Sequence, residues 1–250
     1  MTLKQYFTAF VFGIIGIFAF APFSIKPLIL VSYAYLIRTI LFENIHTLKK
    51  LISWAIGHWG FGMSWLIVSV YYYGETSILI SLVIFFLLTL FLTLCFGLPL
   101  IALKYRLFSG KVESKHLKIL SISSLLILFE LSRYYLLNGV PWLIPGTVFL
   151  DTPLHSIYSL VGVTGGSFIV YLIATSIAIL WEHRYKIFFG SLVLFIPIID
   201  KNERTEFELS VSIIQPFSDP FQKYNLGYKS YIENNILNLI KDTSIESQMI

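Results

Sequence analysis

The sequence predicts an all-α polytopic membrane helix bundle of about seven spans, followed by the beginning of an α/β domain. Three observations predict it. Hydrophobic residues make up 56% of the 250 residues and charged residues only 13%, against roughly 45–50% and about 25% in soluble domains. The mean hydropathy of +0.78 leaves too few polar groups to coat a globule in water. The apolar residues also gather in runs close to the ~20 needed to cross ~30 Å of hydrocarbon, and after residue 199 that pattern gives way to charge and alternation.

The apolar runs cover residues 6–22, 27–42, 51–71, 78–103, 118–137, 157–181 and 187–199, the last being the shortest. A segment crossing alone must satisfy its own backbone groups, so these are helices rather than strands. The first run imitates a signal peptide: Lys4 precedes it, and Ala19-Phe20-Ala21 has the form of a cleavage site. Pro22 would follow the cut and a second apolar run comes at once, so an uncleaved first span is expected.

Charge sets the orientation. With the N-terminus in the cytoplasm, one side holds Lys4, Arg38, Lys49, Lys50, Lys104, Arg106, Lys111, Lys115, Lys118, Arg184 and Lys186. The other side holds Lys26 and, near a helix end, Arg133. Such asymmetry across short loops is the positive-inside bias, which also accounts for the net charge of +4 without any nucleic-acid partner. It places everything after residue 199 outside, which in a bacterium is the periplasm. The domains expected are a transmembrane bundle over 1–199 and a periplasmic segment over 200–250.

Within 200–250, Phe207, Leu209, Val211 and Ile213 alternate with Glu208, Ser210 and Ser212, a strand pattern. Pro216 and Pro220 interrupt it. From about 224 to 241, Leu226, Tyr231, Ile232, Ile236, Leu239 and Ile240 line one helix face. Strand, loop and helix open an α/β domain without completing one.

Candidate functional residues are sparse. Cys95, the one cysteine, excludes an internal disulfide and has no base or cation near it in sequence, so it reads as a small buried hydrophobe. Glu130 and Arg133 stand three apart on one helix face. Glu130 lies about 18 Å into a span that starts near residue 118. Intramembrane charges are costly and suggest function; the pair reads either as a substrate or headgroup contact or as a structural ion pair near the outer interface. Gly57, Gly60 and Gly62 interleave with Trp54, Trp59 and Trp65 around His58, which suggests close helix packing with an aromatic belt. His58 has no metal-ligand partner at helical spacing. Glu75, Asp151 and His155 fall in outer loops, and Trp142, after the turn signals Gly139 and Pro141, suits an interfacial anchor. No metal site and no cofactor is expected.

Several segments, taken in order, resemble the apolipoprotein N-acyltransferase family. They are Phe18 to Phe23 with Pro27-Leu28; Gly60 to Trp65 leading to Val68-Ser69 and Tyr73-Gly74; Glu130 to Arg133 with Asn138-Gly139-Val140-Pro141-Trp142; Asp151 to Leu154 with Gly162 to Gly166; and Val211 to Gln215 with Lys223-Tyr224-Asn225. The resemblance implies transfer of an acyl chain from a membrane phospholipid to the N-terminal amine of lipoproteins, at the outer face of a bacterial inner membrane. It implies a helix bundle followed by a periplasmic nitrilase-like domain, of which 200–250 would be the start. It also implies a triad in which Cys attacks the lipid ester, Glu is the base and Lys stabilises the oxyanion. No residue here matches that triad, and Tyr224 stands where the family usually has Trp.

The chain is therefore expected to be a truncated or split member, inactive alone and completed by a separate C-terminal catalytic chain. The alternative is a non-catalytic remnant or scaffold that binds lipid or lipoprotein; an unrelated transporter ranks last, since no internal repeat is present. Glu130, Arg133, Trp142 and Tyr224 are the residues expected to contact substrate or lipid.

Overall fold

The computed structural model describes residues 2–108, 114–135, 139–197, 213–217 and 225–243. They form helices α1 (Thr2–Ile17), α2 (Leu28–Phe42), α3 (Thr47–Ala55), α4 (Trp65–Tyr73), α5 (Ile78–Leu107), α6 (Lys115–Tyr135), α7 (Tyr158–Ile179), α8 (Arg184–Ser191) and α9 (Lys229–Thr243). The described residues fall into two units. One comprises the described parts of Met1–Ser69 and Ser77–Ile198, the other those of Val70–Thr76 and Ile199–Ile250.

Each apolar run of the first unit contains helix, but two differ from a simple span. The run at 51–71 is broken. α3 passes into a π-helical turn at Ile56–Gly60, and the axis bends by 63° before α4. The described part of the run at 187–199 holds the last five residues of α8 and a 3-10 turn at Leu192–Phe195. Among the described residues, Ile78–Leu107 and His155–Ile179 are long and apolar enough to cross a membrane, with a third span if the bent pair counts as one; α1 and α2 are shorter apolar helices. The first run stops early because Phe18–Ser24 folds into a turn, with Ser24 N–H donating to Phe20 O (2.9 Å) and Ile25 N–H to Phe18 O (2.8 Å).

α5 shows how an apolar helix sorts its faces. Leu79, Val83, Phe86 and Leu87 are exposed, while Ser81, Thr89 and Thr93 point inward. The three hydroxyls donate to carbonyls one turn back, at 3.0, 3.1 and 2.6 Å. A short polar side chain is thereby satisfied within its own helix, and the hydrocarbon meets only apolar surface.

The core is aromatic. Tyr33, Trp54, Trp59, Phe96, Phe129 and Tyr171 are buried together, with Trp54 and Trp59 meeting edge to face at 5.5 Å and Phe96 and Phe129 at 5.0 Å. Trp54 and Trp59 are therefore core residues and not the belt that their spacing suggested; Trp65 is the half-exposed one. Gly57 does allow the expected close packing. A β-carbon there would lie 2.3 Å from Phe10 O, so α1 crosses the π-helical turn after α3 backbone to backbone.

At one end of this unit the cations collect. Lys50 pairs with Glu43. Lys104 donates to Glu43 O (2.7 Å) and Asn44 Oδ1 (2.9 Å), and Lys118 lies over Phe108 at 4.4 Å. Arg38 donates to Ala178 O at 3.0 Å. Residues assigned to one side of the membrane from charge alone are thus neighbours in space.

In the second unit, Asn225 caps the N–H of Gly227 at 3.0 Å ahead of α9, and Asn235 donates to Pro216 O at 3.1 Å. The expected tail helix is α9. The expected strand lies almost wholly outside the described residues, as does Tyr224, and residues 213–217 have no regular structure.

Candidate functional site

Glu130 and Arg133 share the inward face of α6, as their spacing requires, and both are buried, at 0% and 4% exposure. They make no direct ion pair among the described residues. Arg133 instead turns to the loop that follows its own helix, where Nη2 donates to Val140 O at 2.8 Å and to Trp142 O at 2.7 Å. Val140 N–H returns a bond to Arg133 O at 3.1 Å. Glu130 faces α7 and accepts from the Tyr171 hydroxyl at 3.0 Å through Oε2.

The clamp shapes the loop. Leu143, next to the held carbonyl of Trp142, has φ of 55°, a left-handed conformation that costs a non-glycine residue about 1–3 kcal/mol. The two charge-assisted bonds, one on Val140 O and one on the preceding carbonyl of Trp142, work against that cost. Trp142 itself emerges 38% exposed and meets the Trp65 ring edge-on at 5.1 Å. Beyond it, the turn Pro145–Phe149 is pinned to α7. Gly146 N–H donates to Ser167 Oγ (2.8 Å), and Tyr158 donates to Gly146 O (2.5 Å).

Behind the clamp lies a group of buried polar atoms without hydrogen-bond partners: Glu130 Oε1, Arg133 Nε, His58 Nε2 and Trp59 Nε1. His58 and Trp59 come from the π-helical turn, whose smaller rotation per residue lets two consecutive side chains both point inward; such turns recur at functional sites. His58 Nδ1 lies 3.3 Å from Gly13 O, and its ring stacks on Trp54 at 4.6 Å. Trp59 reaches α6 through Phe129 at 6.2 Å, and Tyr33 links His58 (5.6 Å) to Tyr171 (5.5 Å). Each orphaned buried group costs about 1–3 kcal/mol, more if charged. Donors and an acceptor of this kind, set in an apolar bundle, suit a polar ligand group or water.

Sequence reasoning placed Glu130, Arg133 and Trp142 in one neighbourhood, and the structure joins the last two directly. It missed His58 and Trp59 as members of the polar group. The available signal was a His-Trp pair enclosed by Gly57 and Gly60. Cys95 packs half-buried against the apolar core. Glu75, Asp151 and His155 do not join the buried group.

The sequence pattern described as the apolipoprotein N-acyltransferase N-terminal domain matches residues 12–176, a stretch that includes every residue of this site. The apolipoprotein N-acyltransferase of Haemophilus influenzae is 33% identical over 175 residues, covering 66% of this chain and 31% of that protein. The one from Pseudomonas syringae pv. tomato is 32% identical over 184 residues, 72% of this chain and 36% of the relative. The one from Wigglesworthia glossinidia brevipalpis is 26% identical over 232 residues, 92% and 45% respectively. The chain thus spans between about a third and under half of the length of these curated relatives.

Proposed function

The chain belongs to the apolipoprotein N-acyltransferase family, and from that premise we propose that its helices are the lipid-handling part of an enzyme that moves an acyl chain from a membrane phospholipid to the N-terminal amine of lipoproteins. The observation that carries this reading is the clamped loop: Arg133 holds Val140 O and Trp142 O, which leaves Trp142 half-exposed beside Trp65. In this reading Trp142 touches the lipid, with Tyr224 as a second contact. Buried Glu130 and Arg133 act as positioning residues behind it.

The covalent step implied by the family is attack of a Cys thiolate on the lipid ester, which needs a base and an oxyanion donor beside the sulfur. Cys95 sits in α5 among apolar side chains. The proposal therefore assigns that step to groups outside α1–α8, in a nitrilase-like domain that residues 200–250 would open, completed by further chain or a separate partner. Reconstituted with phospholipid and a lipopeptide, the 250-residue chain is expected to show no transfer alone and to gain it when the family's catalytic portion is added. Trp142→Ala should then lower phospholipid use about tenfold, the scale of one lost aromatic anchor, and leave lipopeptide use unchanged. Turnover by the chain alone, or no effect of Trp142→Ala, would sink the reading.

The positive-inside bias, together with the clustering of Arg38, Lys50, Lys104 and Lys118, supports a bacterial inner-membrane orientation. The cationic end then faces the cytoplasm, and the tail reaches the periplasm after seven crossings. In intact spheroplasts an impermeant maleimide should label single-cysteine variants Ser24→Cys and Glu233→Cys, in a Cys95→Ser background, but not Asn44→Cys. Labelling of Asn44→Cys would invert the orientation, and an unlabelled Glu233→Cys would mean an even number of crossings.

A further inference from the structure

At the cationic end, on the far side of the bundle from Trp142, a groove of about 730 Å³ runs between α2, α7 and α8, a volume in the range of small-molecule sites. Lys115, beside Arg38 at this end, and Arg133 are separated by about 27 Å along α6. The floor of the groove is apolar: Leu30, Val31, Ala34 and Ile177 line it, and Phe12 and Tyr35 stack there at 4.1 Å. Its mouth is built from Arg38, Trp181 and Arg184. The Arg38 guanidinium lies 3.9 Å from the Trp181 ring centre and that of Arg184 lies 4.6 Å from the same ring.

Two like charges on one indole repel each other, and both are nevertheless held in place. Arg38 donates to Ala178 O at 3.0 Å and Arg184 to Trp181 O at 2.8 Å. These acceptors lie at and just beyond the C-terminal end of α7, where cations are favoured. Each guanidinium has five donors, and one nitrogen of each is committed in this way. Among the described residues neither forms an ion pair with a carboxylate. Glu43, which lines the groove, has its carboxylate paired with Lys50.

We propose that this groove binds an anionic phospholipid from the leaflet that meets the cationic end, its phosphate between Arg38 and Arg184 and an acyl chain along the α2–α7 floor. The arginine forks match phosphate oxygens. A zwitterionic headgroup would bring its own ammonium into the field of two cations, so the site discriminates by net charge. It does not depend on acyl transfer and lies away from the loop assigned to that role.

The test is native mass spectrometry on the delipidated full chain, titrated with phosphatidylglycerol and with phosphatidylethanolamine. Phosphatidylglycerol should bind preferentially, and Arg38→Gln/Arg184→Gln should weaken it about thirty-fold, the effect of removing two cations near a lipid surface. Phosphatidylethanolamine binding should fall much less in that variant, so that the preference disappears, and its persistence also reports that the groove is intact. Equal affinity for the two lipids in the unaltered protein overturns the proposal without any variant. Displacement of phosphatidylglycerol by inorganic phosphate at similar concentration overturns it too, since the site would then be one for a free anion.

Discussion

Arg133→Ala is expected to destabilise the bundle by about 3–5 kcal/mol, the scale of removing one member of a buried charged network. The substitution deletes two bonds from a charged donor, to Val140 O and Trp142 O, each worth about 1.5–3 kcal/mol. It also removes the nearest positive field from the Glu130 carboxylate, whose Oε1 already has no partner. Leu143 then loses the brace on the carbonyl that precedes its left-handed backbone. Unfolding in detergent micelles, followed with hydrogen exchange at residues 143–149, would measure both consequences. Arg133→Lys should recover part of the loss, because an ammonium keeps the charge but does not occupy the position from which Nη2 reaches both carbonyls. A loss under about 1 kcal/mol for Arg133→Ala would mean that the turn at Pro145–Phe149, and not the arginine, holds the loop.

The second large effect is expected at that turn. In Gly146→Ala the new β-carbon would lie 2.0 Å from Val163 O and 2.5 Å from Ser167 N. Both are backbone atoms of α7 and cannot swing aside, so either the turn or the helix must move. The cost should be about 3 kcal/mol, the upper end for overpacking. The Ser167 and Tyr158 hydrogen bonds to Gly146 should be lost with it. Limited proteolysis of the 140–157 segment should become rapid in this variant, while Ser167→Ala, which removes one hydrogen bond, should cost only about 1 kcal/mol. If the two variants behave alike, the close approach is not what fastens the loop.

These effects also mark what the sequence could reveal. The i,i+3 spacing put Glu130 and Arg133 on one face. It could not reveal that the guanidinium would reach forward to Val140 and Trp142, because loop carbonyls leave no trace in residue type. Among the described residues, each apolar run of the bundle contains helix. Apolar content did not report continuity: the break at Ile56–Gly60 rests on backbone geometry, and α8 falls short because the run at 187–199 divides into a helix and a 3-10 turn. Trp54 and Trp59 looked like interfacial residues since hydropathy cannot distinguish a belt from a core. Arg38 and Arg184 were both legible as cations on the same side, yet their meeting over Trp181 depends on α2 and α7 packing together. The tail helix was legible from its periodic face and appears as α9.

The Arg38–Ala178 bond joins residues 140 positions apart, and this has a consequence for synthesis. At about 5–20 residues per second, a ribosome needs roughly 7–28 s to travel from one to the other. Throughout that interval Arg38 is already made, at the end of a short apolar helix, and the carbonyl that will anchor it does not yet exist. During those seconds its long side chain must reach toward headgroups and water. The cationic end is therefore among the last parts of the bundle to lock, and the newborn chain meets lipid there before it meets itself.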